Sequence, residues 1–370
     1  MRQSVCIDAR LISAPGIGTY LKNLLLNFKQ TPWKWFALAL REQEDAFSSW
    51  DYVEPIFVDF PIYSIKEQIA LPFAIPRVDL FWSPHYNIPC FPIRASKRLT
   101  TIHDALHLAL SSNLRFKEKV YARSMMPAAL RLSDSIITCS IFSKIEIETY
   151  TGIRSEKMRV IPYGVDHARF YPSEESAASE GVLQRYGVQA PFLLFVGSCK
   201  KHKNLRGLLK AFSRLIEQSE CAISCVIIGS AQSRHCEDVK QLCIDFKPIQ
   251  HLVHFLGYVP EDDLPHFYRC AELFVFPSLY EGFGFPPLEA MSSACPALVS
   301  RIPALSEVCG EGAIYCDPYD PGQIAACMHQ LLQNRAQRNA IAKKGWERSR
   351  GFCWKKCALE HISVIERLLV

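Results

Sequence analysis

No Cys-x-x-Cys pair occurs anywhere in the 370 residues, and the fifteen cysteines are odd in number and scattered. Neither a zinc ribbon nor a disulfide framework is indicated, and most of them read as small buried hydrophobes. Two Cys-x-x-x-Cys pairs exist, Cys221/Cys225 and Cys353/Cys357. Neither has a second ligand pair at metal-site spacing, so no metal is assigned. Long apolar runs are also missing: no segment approaches the roughly 18 residues that a spanning helix needs. The N-terminus, MRQSVCIDARL, lacks the apolar core and cleavage site of a signal peptide and reads as a strand from its fourth residue. A cytoplasmic protein is expected, at most peripheral on the inner face of the cytoplasmic membrane. Excess charge is slight. A formal net charge of +5 is too mild to argue for nucleic acid, which needs a concentrated basic face.

What the chain does have is length and alternation. At 370 residues it exceeds the roughly 250–300 at which single cores stop growing, so two domains are expected. Short runs rich in Val, Ile and Phe alternate with segments of helical period, the pattern of parallel sheets covered by helices. The first series runs from SVCIDARLI to MRVIPYG, and includes a helix after Ser140, a fitting N-cap. The Ser-, Glu- and Ala-rich stretch Tyr171 to Ala190 reads as a linker with a short helix. A second series follows, from PFLLFVGS to PALVSRI. The fold class is therefore α/β, with two Rossmann-like, doubly wound parallel-sheet domains, 1–172 and 173–352. Such sheets bind ligands at the carboxyl ends of their strands, so a ligand is expected in a cleft between the two.

Four strand ends carry chemistry. The strand LFVFPS leads into EGFGFPPLEAM. Gly282 and Gly284 let backbone amides approach a ligand, and Pro286 and Pro287 set a helix start whose free amides suit phosphate or sugar oxygens. Glu289, expected in the first turn, suits a vicinal diol such as a ribose, and Glu281 suits the hydroxyls of a second group. Next, FVGSCKKHKN places Lys203 six residues past Gly197 and just before a helix, where its ammonium can neutralise a diphosphate. The bland alternative is a solvated cluster of Lys200, Lys201 and Lys203. In LTTIHDALH, His103 stands at a strand end as a hydrogen-bonding partner for a reacting sugar, with His107 and His85 as looser possibilities on the acceptor side. Lastly, Gly16-Ile17-Gly18 does not open a dinucleotide fingerprint, because Leu21 occupies the third glycine's place. Asp8 and Arg10 are expected to pair structurally. Glu261, Asp262 and Asp263 are explained by capping and the helix dipole rather than by a metal.

With its E-x7-E pattern at Glu281 and Glu289, PALVS after it, and IDAR, GIGTYLKNLL, TIHD and CSIFSKIEI upstream, the chain resembles family 4 of the retaining glycosyltransferases over nearly its whole length. The motif pattern is similar to that of bacterial mannosyl and related hexosyl transferases of surface polysaccharide synthesis. The resemblance implies the GT-B fold, two Rossmann-like domains facing a cleft, with the C-terminal helix 353–370 crossing back to an acceptor-binding N-terminal domain. It implies catalytic roles for His103, Lys203 and Glu281. The donor contacts it implies are Gly16, Gly18, Gly197, Ser198, Lys203, Tyr258, Glu281, Gly282, Phe283, Gly284, Phe285, Leu288 and Glu289. Two departures stand out: His202 takes the place of the family's arginine before Lys203, and Ser198 stands where some relatives have another arginine.

The expected activity is retaining transfer of a hexose, with mannose from GDP-mannose preferred over a UDP-linked sugar, to a saccharide or lipid-linked acceptor. No metal and no cofactor beyond the nucleotide sugar are expected. Two other classes remain open: a UDP-sugar epimerase of the same build, and a non-catalytic sugar-nucleotide or lipid-surface binding module. Residues 115–131, RFKEKVYARSMMPAALR, read as a basic amphipathic helix. That helix is either a face packed on the sheet or a landing surface for anionic lipid or a phosphate-bearing acceptor.

Overall fold

Two parallel sheets organise the chain in the computed structural model, which describes residues 2–60, 62–110, 115–173, 176–219, 222–230 and 236–370. Cys221 of the Cys221/Cys225 pair lies outside them. Unit 1 comprises Met1–Gly164 and Trp354–Val370, and unit 2 comprises Val165–Cys353.

Unit 1 holds β1 (Ser4–Asp8), α1 (Ile17–Asn27), β2 (Lys34–Leu40), β3 (Val53–Val58), α2 (Ile65–Ala74), β4 (Val78–Ser83) and β5 (Ala95–Thr101). It continues with α3 (Leu106–Ala109), α4 (Phe116–Leu132), β6 (Ser135–Thr138), α5 (Ile141–Thr151) and β7 (Met158–Val160). All paired strands run parallel, in the order β3-β2-β1-β4-β5-β6-β7. Because helices cover parallel sheets, the strands must be apolar on both faces. One core cluster joins Cys6, Leu38 and Phe81 to Leu71 of α2 and to Ile75 just after that helix, and another joins Ile136 and Ile102 to Met125, Met126 and Ala129 of α4. Ser140 caps α5 by accepting from the Ser143 amide at 2.9 Å, and Gly152, left-handed at φ 68°, ends that helix.

Unit 2 holds α6 (Ser176–Arg185), β8 (Phe192–Val196), α7 (Leu205–Gln218), β9 (Ser224–Ile228), α8 (Val239–Asp245), β10 (Val253–Gly257) and α9 (Leu264–Cys270). After these come β11 (Leu273–Phe276), α10 (Phe285–Ser292), β12 (Ala297–Ser300), α11 (Pro303–Cys309), β13 (Ile314–Cys316), α12 (Pro321–Gln333) and α13 (Arg335–Ser349). The strand order is β10-β9-β8-β11-β12-β13, again parallel. Every residue of β8 is buried, as a central parallel strand requires. In α7, Leu205, Leu208, Leu209, Phe212 and Leu215 recur at helical spacing and are buried, which turns that stripe to the core.

The final helix, α14 (Trp354–Leu369), returns to unit 1, where Trp354, Ala358, His361, Val364 and Ile365 are buried against α1, β4 and β5. The chain leaves unit 1 at Gly164, earlier than the 172/173 boundary expected from composition. Residues 165–170 already belong to unit 2's packing: Val165 pairs with Cys353, Ser292 Oγ donates to the Phe170 carbonyl at 2.7 Å, and the Phe170 ring meets Tyr268 edge-on.

Candidate active site

In unit 2 the strand sequence changes direction between β8 and β11. From β8 it steps out through β9 to β10, and from β11 through β12 to β13 on the other side. Ligands of open parallel sheets bind where the loops part at such a switch point. The loops leaving β8 and β11 carry Lys203 and Glu281, and Lys203 Nζ lies 2.6 Å from Glu281 Oε1. Their side chains are only 15% and 10% exposed, and the ammonium also lies 5.2 Å from the centroid of the Phe276 ring.

The pair is held by its loops. The His202 carbonyl accepts from the Leu279 amide at 2.7 Å and from Ser278 Oγ at 3.0 Å, stitching the β8 loop to the β11 loop. Asn204, left-handed at φ 60°, donates its amide nitrogen to the carbonyls of Pro277 (2.9 Å) and Pro318 (2.7 Å). Gly229, at the end of β9, has φ 148°, and a Cβ there would sit 1.9 Å from the Gly197 carbonyl oxygen. The β8 loop therefore runs over backbone with no room for a side chain. Ser198 is half-buried beside it.

The glycine turn before α10 is fixed by geometry as well. Gly284 is that helix's N-cap with φ 115°, and a Cβ would meet Leu305 Cδ2 at 2.6 Å. Phe283 is buried, edge-on to Phe285 (5.7 Å) and Phe352 (5.9 Å), and Gly282 is buried with it. Because α10 starts at Phe285, Glu289 falls beyond the first turn, not within it as expected. Its Oε2 accepts from the Tyr268 hydroxyl at 2.9 Å. Burial, the largest influence, lifts its pKa to about 7 against the Tyr268 hydrogen bond. Leu288 is fully buried and its amide faces the Gly284 carbonyl at 3.3 Å, so it serves the core and the helix. Tyr258 is 75% exposed.

Residues 261–263 do not cap α9 with their side chains, contrary to expectation. Glu261 and Asp262 pair with Arg169 at 2.7 and 3.5 Å, and Asp263 binds Arg185 (2.8 Å) and the Tyr186 hydroxyl (2.6 Å).

Unit 1 contributes a separate polar cluster. His103 Nε2 donates to the Pro84 carbonyl at 2.8 Å, and Nδ1 is hydrogen-bonded to the Tyr163 hydroxyl. Burial lowers its pKa and keeps the ring neutral, so Tyr163 is the donor in that bond. Both ring nitrogens are engaged, and a sugar hydroxyl reaches His103 only by exchanging one of these partners. Tyr20 lies edge-on to His103 at 5.2 Å, and its hydroxyl bonds Thr101 (3.0 Å) and His361 Nε2 (2.8 Å). Asp8 and Arg10 pair at 2.6 Å as expected, and fully buried Glu67 also meets Arg10 at 2.6 Å. His107 bonds the Tyr86 hydroxyl at 2.9 Å. Gly16 precedes α1 with φ 75°, and Gly18 lies so close to the Ile12 carbonyl that a Cβ would be 2.3 Å from its oxygen.

In α4 the two methionines expected to add apolar surface, Met125 and Met126, are buried in the unit's core. Phe116 and Val120, 80% and 50% exposed, stand among the exposed Arg115, Lys117 and Arg123. Among the described residues no helix is long and apolar enough to cross a membrane.

Asn204, Gly229, Tyr268, Glu67, Tyr163 and His361 carry no motif that marks them in the sequence. Asn204's tolerance of left-handed backbone was the one local signal; the others act through partners remote in sequence.

Residues 16–169 match Glycosyltransferase Family 4, and residues 185–348 match Glycosyl transferases group 1. O-antigen chain mannosyltransferase B of Escherichia coli is 30% identical over 287 residues, covering 76% of this chain and 74% of that protein. O-antigen chain mannosyltransferase RfbU of Salmonella typhimurium is 28% identical over 259 residues, 70% of this chain and 66% of that one. Among solved structures, Anabaena Alr3699/HepE in complex with UDP and glucose superposes with a TM-score of 0.80 at 16% identity, over 99% of this chain and 100% of that one. With two parallel sheets of the GT-B type, each closed by its own helices, the chain belongs to the family 4 and group 1 glycosyltransferases.

Proposed function

We propose that the chain transfers mannose from GDP-mannose to a hydroxyl of a saccharide or lipid-linked saccharide with retention of anomeric configuration. The observation that carries this reading is the Lys203–Glu281 pair at the switch point of unit 2, held by the loop contacts of His202 and Asn204. In it a carboxylate that suits sugar hydroxyls adjoins a cation that suits a leaving diphosphate. Glu289 is assigned to the ribose, and the amides of the Gly284 turn to the hexose and diphosphate. The sugar C1–O bond to phosphate breaks with its electron pair going to the diphosphate. The acceptor oxygen then bonds C1 on the same face and passes its proton to a phosphate oxygen. Positive charge comes from Lys203 and helix α10, so no divalent metal or further cofactor is assigned. His103 is assigned to the donor sugar, after exchange of Tyr163 or the Pro84 carbonyl. Mannose is favoured because both relatives described above are named as mannosyltransferases.

The test is initial-rate transfer with GDP-mannose, UDP-glucose and UDP-N-acetylglucosamine in EDTA, with the product anomer read by NMR. Turnover of GDP-mannose to an α-linked product supports the reading. A UDP-sugar preference, an inverted product, dependence on added metal, or conversion of the nucleotide sugar without acceptor each overturns the corresponding part.

For a lipid-linked acceptor we further assign the exposed face of α4, with Phe116 and Val120 among Arg115, Lys117 and Arg123, to an anionic bilayer surface. Sedimentation with phosphatidylglycerol vesicles but not phosphatidylcholine vesicles is expected, and equal sedimentation with both removes the assignment.

A further inference from the structure

Of the two acids assigned to the donor, Glu281 is paired with the Lys203 ammonium, while Glu289 is held by a neutral group: its Oε2 accepts from the Tyr268 hydroxyl at 2.9 Å. Among the described residues no other side chain donates to it. Glu289 keeps part of its surface open, whereas Tyr268 is fully buried. The ring therefore reaches no ligand, and whatever it does for binding it does through the acid.

Packing fixes the direction of that hydroxyl. On α9 the Tyr268 ring lies edge-on to Phe170 (5.9 Å) and tilted against Phe274 of β11 (5.6 Å). Phe170 is held in turn, its carbonyl accepting from Ser292 Oγ of α10 at 2.7 Å. Tyrosine and carboxylate thus stand on neighbouring helices tied to one backbone segment. Burial pushes the Tyr268 pKa well above the usual tyrosine value, so the hydroxyl stays a donor throughout the range in which Glu289 titrates. The charged groups nearby are already engaged with one another. Arg169 pairs with Glu261 at 2.7 Å and with Asp262 at 3.5 Å, and Arg169 and Glu261 act on Glu289 in opposite senses. His167 meets α10 further along, its Nδ1 lying 3.0 Å from Ser292 Oγ. The direct hold on the carboxylate is left to Tyr268, and a hydrogen bond to an ionised acceptor is stronger than one between neutral groups.

We propose that Tyr268 is a positioning residue for the donor's ribose: its hydroxyl fixes the Glu289 carboxylate so that the acceptor sites left over meet the 2′- and 3′-hydroxyls together, which selects ribose over 2′-deoxyribose. This rests on the assignment of Glu289 to the ribose and deepens it. An ionised carboxylate has about four acceptor sites, and Tyr268 takes one of them. The others stay oriented instead of being averaged by rotation about the Cγ–Cδ bond. The same bond favours the charged form of Glu289, the form that accepts from both hydroxyls.

The experiment is calorimetric titration of the full chain with GDP, UDP and their 2′-deoxy counterparts across the neutral pH range. It compares wild type, Tyr268→Phe and a chain carrying 3-fluorotyrosine at position 268. For whichever base binds, wild type is expected to prefer the ribonucleotide by about tenfold or more. Tyr268→Phe should narrow that preference to about threefold or less while the deoxynucleotide affinity stays within about twofold. It should also move the pH at which ribonucleotide affinity falls upward by about one unit, since the charged carboxylate has lost its donor. 3-Fluorotyrosine, a stronger donor of nearly the same shape, should move that pH downward, and it decides alone should Tyr268→Phe lose its cooperative melting transition. A purely packing role would weaken both nucleotides equally at every pH. That outcome, or a pH midpoint that 3-fluorotyrosine leaves unmoved, overturns the inference. Wild type that binds both sugars equally sinks the ribose assignment of Glu289 and this inference with it, whereas discrimination that survives intact in Tyr268→Phe sinks the role of Tyr268 alone.

Discussion

Lys203 and Glu281, 78 residues apart in the chain, form a 2.6 Å ion pair between the loops that leave β8 and β11. The pairing ties two assigned roles into one unit. Glu281→Ala should lower transfer by roughly 10²–10³-fold, the scale of losing one pre-organised polar group. It should also cost about 1–3 kcal/mol of stability, because Lys203 is left mostly buried without its acceptor. Lys203→Ala should be as damaging to turnover, and the double variant little worse than either single one, since groups acting together are not additive. Initial rates and urea unfolding check this, and near-normal turnover in Glu281→Ala would remove the assignment.

The positions of these two residues were legible because local rules govern them: an apolar strand, then glycine or charge, then a helix of regular period. The strands and the Ser140 cap were legible for the same reason. Errors arose where the outcome depended on three-dimensional neighbours. A run of three acids looks like capping until Arg169 and Arg185 arrive from another segment. Leu288 carries no mark telling a core leucine from a ligand-facing one, and Glu289 falls just past the first turn because α10 starts at Phe285, one residue ahead of its prolines. Glu67's burial against Arg10 has no local signature at all.

Asn204 is the tether that the charge pattern hid. Its side chain bonds two carbonyls while its backbone is left-handed, immediately after Lys203. Asn204→Gly keeps the backbone and loses the two hydrogen bonds, each worth about 1 kcal/mol, while Asn204→Ala adds left-handed strain of about 1–2 kcal/mol. Both should raise the donor KM about tenfold, with the alanine variant melting lower. A glycine variant with wild-type donor KM would show that Lys203 is positioned without this tether.

Glu289 gives the donor site a pH signature. Burial raises its pKa from the ordinary 4.5 to about 7, so the native state holds a proton that the unfolded state has released between those values. Stability from this group is full below about 4.5 and falls as pH rises to 7, by roughly 1–3 kcal/mol. Donor binding runs the other way, since only the carboxylate accepts from a ribose diol. Donor affinity should fall about tenfold per pH unit below 7. Calorimetric titration of wild type against Glu289→Gln from pH 5.5 to 8 checks this: the glutamine variant should bind weakly and without that slope. A wild-type affinity flat across the range would take Glu289 off the ribose.

His361 should mark the docking of α14 in a pH-dependent way. Its Nδ1 donates to the Cys357 carbonyl at 2.7 Å, and its Nε2 accepts from the Tyr20 hydroxyl, whose other partner, Thr101, accepts from Trp82 Nε1 at 3.1 Å. Burial holds its pKa at about 4, below the ordinary 6.5. As pH falls from 6.5 to 4 the unfolded chain takes up a proton that the native ring does not, so stability drops by at most about 3 kcal/mol and is unaffected above 6.5. His103 and His85, also lowered by burial, add to the same fall. His361→Gln, which can keep a donor and an acceptor in place, should remove its own share, so that wild type and variant converge as pH drops from 7 to 4.5. Melting curves across that range that stay parallel would mean the ring is charged or already exposed, and that α14 does not depend on a neutral imidazole at its buried face.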